Sequence, residues 1–567
     1  MSRKKKTRST ASRGKIGEPT GRSFTWVWAL LLVAATILAY QQAWRAGFIW
    51  DDDVYVTANR LLTAPDGLQR IWFSLESPSQ YFPLVYTTFR IEHALWGLNA
   101  AGYHWVNILL HAANALLLWQ LLRLLRVPGA WLGAALFALH PVHVESVAWI
   151  TERKNVLMGF FFLLALLCWT TFSEQRSRNN RRWYALAIGC YALALFSKTT
   201  ACTMPAALLL ILWLKHEPIT WRRVAQIVPF VLLGIAMGLV TIWWERYHQG
   251  TQGTLFAIGL PERFLIASRA LWFYLGKLIW PAHLSFSYPH WEVSAINPAD
   301  YIWVAAIAAL VVAIYFGRRW VGRSAEVALL FFVTTLSPVL GFIMLYTFRY
   351  SFVADHYQYL ASIGPLALFA AGTTTAFGFL RREQSFLKPV VCGAVLLLLG
   401  IRTWQQCGAY LNHETLWRTV IAENPQSWMA HNNLGIALVQ SGRIDEGFEE
   451  YHKALEINPG YAEAYYNLAN ALLRAQRVDD AVAHYKKALE LEPRISAAHA
   501  NLAAIFLRRG ELDEAIARFK KALELEDGNA TYHALLADAL RRAGREEEAQ
   551  FHLRKAAELD SRRANSR

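Results

Sequence analysis

A chain of 567 residues with 55% hydrophobic and 17% charged side chains carries too little charge for a wholly soluble protein, in which about 25% is usual. Its 24 Trp, 30 Phe and 23 Tyr exclude intrinsic disorder, because that much apolar surface drives burial. The net charge of +15 points to membrane orientation and anionic lipid before nucleic acid, since the basic residues cluster in a terminal arm and between apolar runs.

Residues 1–22 form a basic arm, with Arg3, Lys4, Lys5, Lys6, Arg8, Arg13, Lys15 and Arg22 against Glu18 alone. The apolar run 24–43 is too long for a removed signal peptide and lacks a small-residue cleavage site. It reads as a retained anchor that leaves the arm in the cytoplasm. Similar runs recur through residues 23–404, at the length that crosses a bilayer. Basic residues fall in alternate loops: Arg123 with Arg126, then Arg176, Arg178, Arg181 and Arg182, then Lys215, Arg222 and Arg223, then Arg318, Arg319 and Arg323, then Arg381, Arg382 and Lys388. These are the cytoplasmic loops, whereas the exported loop 45–102 carries six carboxylates against four arginines.

Consistent alternation requires the stretch 256–281, which contains Arg269 and Lys277, to remain on the outer face as a re-entrant or interfacial helix. Eleven spans are then expected, near 24–43, 103–122, 130–148, 155–172, 183–197, 200–214, 224–244, 301–317, 326–346, 359–380 and 389–404. An odd count places the remainder of the chain outside, opposite the arm. Cys168, Cys190, Cys202 and Cys392 lie in or beside apolar runs without CxxC spacing and read as small core residues.

The composition changes near residue 405, and 405–567 is charged, alanine-rich and periodic. A period of 34 stacks Leu434, Leu468, Leu502 and Leu536, then Ala481, Ala515 and Ala549, then Tyr451, Tyr485 and Phe519. The same period stacks Ala454, Ala488, Ala522 and Ala556, and Pro425, Pro459 and Pro493. Small residues let paired helices approach, large ones fill the space between pairs, and each proline ends a helix. The pattern resembles tetratricopeptide repeats, four units preceded by a half-unit with Trp417 and Pro425. Gly447 departs from the expected alanine, and Leu553 and Ser561 depart from the aromatic and the proline of the last unit. The fold class is therefore all-α: a polytopic membrane helix bundle followed by a repeat α-solenoid. Asn433, Asn467 and Asn501 recur one residue before the stacked leucines, where an amide facing the concave groove both donates to and accepts from an extended peptide. The alternative is that asparagine is merely common at that position.

Candidate chemistry begins at Trp50-Asp51-Asp52-Asp53, just beyond the first span. Adjacent carboxylates near a membrane surface raise one another's pKa, which suits Asp51 or Asp52 to act as a general base toward a hydroxyl. A solvated acidic loop or a helix cap is the other reading. A second cluster, His140, His143 and Glu145 with Arg153 and Lys154, crowds ionisable groups between two apolar helices, which marks a substrate path or internal pairing. An anionic headgroup with Arg153 and Lys154 as phosphate partners fits these residue types. A divalent ion on His140, His143 and Glu145 fits them less well, because Pro141 interrupts the helix that would converge the imidazoles. Lys198, and Asp355, His356 and Tyr357 following Arg349-Tyr350, fall on the same predicted side and complete the substrate-binding candidates. Headgroup snorkelling and an aromatic belt are their plainer explanations.

The Asp-Asp pair after the first span is followed by Tyr81-Phe82-Pro83-Leu84, Gly102-Tyr103-His104 with Asn107 and His111, and His-Pro-x-His-x-Glu from His140. With terminal tetratricopeptide repeats, this order is similar to that of the transmembrane and tetratricopeptide repeat containing protein O-mannosyltransferases, members of the C-type glycosyltransferase superfamily. The basic, apolar character fits a bacterial relative. The resemblance implies a polyprenyl-phosphate sugar donor, an acceptor serine or threonine on an exported polypeptide held by the repeats, and inversion at the anomeric carbon, with no need for a nucleotide-binding glycine loop. It implies Asp51 or Asp52 as base, with Arg153, Lys154 and Lys198 as phosphate partners. One departure is Phe82, which stands where the family often has arginine, so one donor-phosphate contact is absent or replaced. Two other functions compete: a membrane-anchored scaffold that recruits envelope proteins, and a transporter of lipid-linked sugar. The acidic pair in a loop outside any span favours the enzyme over the transporter.

Overall fold

The structure is a computed structural model, and it describes residues 25–75, 80–174, 180–248, 251 and 257–565. The basic arm and the pair Arg176 and Arg178 lie outside the described residues. Those that are described form helices and connecting turns, without a strand.

Each of the eleven apolar runs contains helix, but the count of crossings is corrected. Among the described residues, five helices are long and apolar enough to cross a bilayer: Ala100–Leu124, Ile150–Glu174, Trp221–Tyr247, Pro298–Arg319 and Leu387–Tyr410. The rest are shorter. Thr25–Ala39 has 15 residues, about 22 Å at 1.5 Å per residue, against a hydrocarbon core of about 30 Å. Run 130–148 breaks after ten residues, because Ala130–Leu139 ends at His140 and the fixed φ of Pro141 starts a 3₁₀ turn. Run 326–346 likewise stops at Leu336, one residue before Ser337-Pro338. A window of apolar residues does not register these breaks. The parity argument for the side on which the repeats lie falls with the count.

Three of the basic loops nevertheless meet at one end of the bundle. Lys215 pairs with Glu174, Arg223 donates to the Ser173 carbonyl at 3.3 Å, and Arg323 lies over the Trp213 ring. The helix within 256–281, Leu260–Ile279, is not among the five crossing helices and packs against the stretch around His140.

Residues 413–565 form a half-unit, His413–Glu423, and four helix pairs whose first helices begin at Trp428, Ala462, Ser496 and Ala530, 34 residues apart. The stacked leucines, alanines and aromatics are all buried. Pro425, Pro459 and Pro493 each stand two residues beyond a helix end. Where Ser561 replaces the proline, the last helix continues from Glu546 to Asn565. Gly447 is explained by close approach, because a Cβ there would stand 2.5 Å from the Val439 side chain.

No gap separates the two parts. Leu416, Trp417, Val420, Met429, Leu434 and Leu438 belong to the same buried apolar cluster as the bundle. The Gly47 N–H donates to the Leu411 carbonyl at 2.9 Å, and the Asn424 side chain donates to the Ser287 carbonyl at 3.4 Å. The repeats therefore sit on one end of the bundle, and that end holds the cavity described next.

Candidate functional site

An interrupted helix in apolar surroundings exposes carbonyls that have no water to satisfy them. Polar side chains inside the bundle do this work. His143 Nδ1 pairs with the Phe137 carbonyl at 2.7 Å, His111 Nε2 with Ala138 at 3.1 Å, and the Thr403 hydroxyl donates to Leu139 at 2.7 Å. The Asn107 amide donates to the carbonyls of Val147 and Trp149, each at 3.2 Å, and Asn114 to that of Val156 at 2.8 Å. These bonds hold residues 140–152 as a chain of short turns instead of one helix.

His140 and His143 are part of this frame. The first bonds the Leu278 carbonyl at 3.0 Å, and the second joins Phe137 to the Ser362 hydroxyl at 2.9 Å. Both are buried and neither lines the cavity. Arg153 is also internal: it pairs with Glu92 and donates to Asn107 Oδ1 at 2.5 Å and to the Tyr103 carbonyl at 2.9 Å, joining three helices. Among the described residues, no three His, Cys, Asp or Glu side chains are grouped to hold a metal ion.

The frame surrounds a cavity of about 520 Å³. Asp51, Glu145, Glu152, Glu245, Lys154 and Lys198 line it, together with His356 and Tyr357. Asp51 and Asp52 diverge. Asp52 is fully buried: Oδ1 accepts from the Thr151 N–H at 2.8 Å and the Thr151 hydroxyl at 2.6 Å, and Oδ2 accepts from the Ile49 N–H at 2.9 Å. It fastens the turn at 49–53 to the turn at 150–152. Burial pushes its pKa up to about 7 against those three donors. Asp51 is half-buried and faces the cavity. Burial raises its pKa to about 6, the Lys154 ammonium opposing and Glu152 reinforcing the shift.

The residue before Asp51 sets its direction. Trp50 has φ of 48°, a conformation that costs a bulky side chain energy unless its surroundings impose it. Its ring meets Trp417 of the half-unit edge-on, with centroids 5.0 Å apart, and Phe286 at 6.1 Å. The repeat part thus helps to hold the acidic turn.

Among the other ionisable groups of the wall, Glu152 is the hub. Its Oε1 lies 2.8 Å from Lys154 Nζ, and its Oε2 lies 3.4 Å from Lys198 Nζ. The Asn155 amide donates to Oε2 at 2.5 Å. Glu145 Oε2 accepts from the His356 backbone N–H at 2.9 Å, and its Oε1 lies 3.0 Å from His356 Nδ1. Lys198 holds the looser ion pair, and burial brings its pKa down to about 8 although Glu152 opposes the shift. Tyr357 hydrogen-bonds the Thr347 hydroxyl at 2.5 Å. Asp355 lies behind the wall, accepting from the Tyr288 hydroxyl at 2.9 Å, and burial with the nearby Glu145 charge holds its pKa well above the usual range. Phe82 is buried and also lines the cavity.

Of the candidate residues, the structure brings together Asp51, Glu145, Lys154, Lys198, His356 and Tyr357 around the cavity, and sets Asp52, His140, His143, Arg153 and Asp355 behind it. Glu152 and Glu245 are wall residues that the sequence reading did not single out. Glu152 stood in plain view between Thr151 and Arg153, whereas Glu245 meets its partner Gln80, at 2.6 Å, across 165 positions of chain and left no local signal. In the repeats, Asn433 donates to the Met429 carbonyl at 2.7 Å, Asn467 to Asn432 at 3.1 Å and Asn501 to Asn470 at 2.9 Å.

Residues 78–244, which supply Glu152, Lys154 and Lys198 and most of the polar frame, match the model of the dolichyl-phosphate-mannose-protein mannosyltransferase family. Residues 427–494, 466–530 and 506–565 match tetratricopeptide repeat models. The chain thus matches a mannosyltransferase family model in one region and tetratricopeptide repeat models in another, the combination expected from its motifs.

Among curated proteins it is similar to Protein O-mannosyl-transferase TMTC2 of Homo sapiens, 24% identical over 539 residues, 76% of this chain and 63% of that one. Protein O-mannosyl-transferase F38B6.6 of Caenorhabditis elegans is 25% identical over 463 residues with the same two coverages. Protein O-mannosyl-transferase TMTC1 of Homo sapiens is 26% identical over 493 residues, 76% of this chain and 55% of that one. The chain spans less than two thirds of the length of these relatives. Among solved structures, a crystal structure of MamA matches at 22% identity over 27% of this chain and 88% of that chain, with a TM-score of 0.25.

Proposed function

We propose that the chain is an integral-membrane glycosyltransferase that moves a sugar, mannose by analogy with its relatives, from a polyprenyl phosphate to serine or threonine of an exported polypeptide. The observation that carries this reading is Asp51, a carboxylate facing a cavity that is also lined by Lys154 and Lys198, both held by Glu152. The Asp51 carboxylate takes the hydroxyl proton while the oxygen forms a bond to the anomeric carbon. The bond from that carbon to the phosphate oxygen breaks on the opposite face, which inverts the centre. The lipid phosphate leaves as an anion neutralised by a cation, and Lys198, with its looser pair, is the partner of choice. Asp52 positions the base through Thr151, and no divalent ion or further cofactor is invoked in these steps.

The arginines and lysines gathered at the Lys215, Arg223 and Arg323 end of the bundle support a cytoplasmic position for that end by the charge rule, and with it an exported position for the cavity and the repeats at a bacterial inner membrane. The repeats then hold the acceptor near the cavity and raise its local concentration.

The test is transfer by the purified full chain from a mannosyl-phosphate polyprenol to a serine- and threonine-rich peptide, read as one added hexose by mass spectrometry. A hexose on the peptide is expected. An unmodified peptide and an unconsumed donor, from protein shown to be folded, would overturn the proposal.

A further inference from the structure

The cavity beside Asp51 does not end at the bundle. Ser287, Tyr350 and Met429 line it, and the same three residues line a second cavity of about 970 Å³ between the bundle and the first repeat units. The two spaces meet at this neck.

The walls of the second cavity have a recognisable chemistry. On the bundle side stands Arg349, its guanidinium 5.1 Å from the Tyr350 ring centre, 5.3 Å from that of Tyr346 and 5.8 Å from that of Trp428. Its hydrogen bond is from Nη1 to the Tyr346 hydroxyl at 3.1 Å. Nε is buried without a hydrogen-bond partner. On the repeat side, Trp428 packs on Tyr350 at 5.3 Å and on Tyr461 at 4.4 Å, so an aromatic row crosses the junction, with Tyr466 further along the wall. A half-buried guanidinium that holds ring faces and keeps its buried Nε–H unused is poised to donate to carbonyl oxygens of a ligand. Flat rings beside it accept peptide planes and apolar side chains over an extended path.

We propose that this junction cavity is the acceptor site: a serine- or threonine-bearing polypeptide lies there extended, its backbone carbonyls on Arg349 and its side chains against Trp428 and Tyr461. Its hydroxyl then passes the Ser287, Tyr350 and Met429 neck toward Asp51. The proposal rests on the transferase reading for the direction of the chain, but the binding surface stands on its own geometry. It also shifts first contact away from Asn433, Asn467 and Asn501, whose amides donate inside the repeats. The acceptor is then an unfolded segment, or a strand freed from its neighbours, in preference to the face of a folded domain.

The test uses the full chain in detergent and a fluorescein-labelled serine- and threonine-rich peptide, read by anisotropy and by acceptor and donor KM. Arg349→Gln is expected to weaken peptide binding about tenfold and raise acceptor KM to match, with donor KM within about twofold. Because Trp428 is packed on both sides and Trp428→Ala risks misfolding, a photocrosslinking p-benzoylphenylalanine at Tyr466 supplies the second measurement. It is expected to capture the peptide, and the same label at Asn501 to capture much less. Unchanged peptide affinity in Arg349→Gln, or capture at Asn501 alone, overturns the site. Peptide binding lost in Arg349→Gln while the native chain transfers no sugar supports the site and overturns the transferase reading instead.

Discussion

Leu434, Leu468, Leu502 and Leu536 do one job at four equivalent places, whereas no two side chains around Asp51 are interchangeable. In the repeats most of the buried groups are apolar and their spacing follows the helix, with units stacked on their neighbours. At the rim of the cavity the buried groups are carboxylates, imidazoles, amides and cations, and several are held by partners far away in the chain. His143 reaches Ser362, Asn107 reaches Trp149, and Asp52 reaches Thr151. The difference teaches that an array tolerates loss piecemeal, whereas a polar frame fails or works as a unit, since a half-satisfied network costs more than an apolar one.

The largest effect that would sharpen this contrast is expected from Asp51→Asn. Asp51 faces the cavity without bracing the frame, so sugar transfer should fall about 10²- to 10⁴-fold with thermal unfolding in detergent unchanged. A variant that unfolds would mean Asp51 belongs to the frame. Arg153→Met should act in the opposite way: it strands Glu92 as a buried unpaired charge and costs about 3–5 kcal/mol, seen as lost folded yield. Leu502→Ala, in the array, should cost about 2–4 kcal/mol. That loss should be confined to the repeats, with hydrogen exchange accelerated there and protected at the cavity. Protection lost at both places would make the two regions one cooperative body. Lys521→Ala, which removes an exposed pair with Glu524, should change stability by less than about 0.5 kcal/mol by the same melting assay.

The same contrast explains what was legible in the sequence. A period of 34 with matching leucines, alanines and prolines specified every repeat helix, and the turn position that follows each first helix repeats as Gly442, Gln476, Gly510 and Gly544, all with positive φ. Apolar runs located the bundle helices but overstated how many cross, because hydropathy does not see where Pro141 and Pro338 stop a helix. Around the cavity, the acidic turn and the lysines were visible as ionisable groups beside apolar helices. The division of labour between Asp51 and Asp52 was not visible, because it depends on which carboxylate meets Thr151, 99 positions away. His140 and His143 attracted attention for their chemistry, yet their rings serve backbone carbonyls that only a broken helix exposes. The Trp50 and Trp417 contact, which ties the acidic turn to the repeats, joins two residues with no pattern in common.

The central claim is that Asp51 works as a base opposite a charged Lys198, and the pH dependence of transfer tests it most directly. The base must be deprotonated and the lysine protonated, so the rate of the native chain should rise through about pH 6 and fall above about pH 8. In Lys198→Arg, whose guanidinium stays charged, the alkaline limb should move up while the acid limb remains in place. A profile in which the native chain and Lys198→Arg share the same alkaline limb, or in which no limb appears near pH 6, would contradict the account.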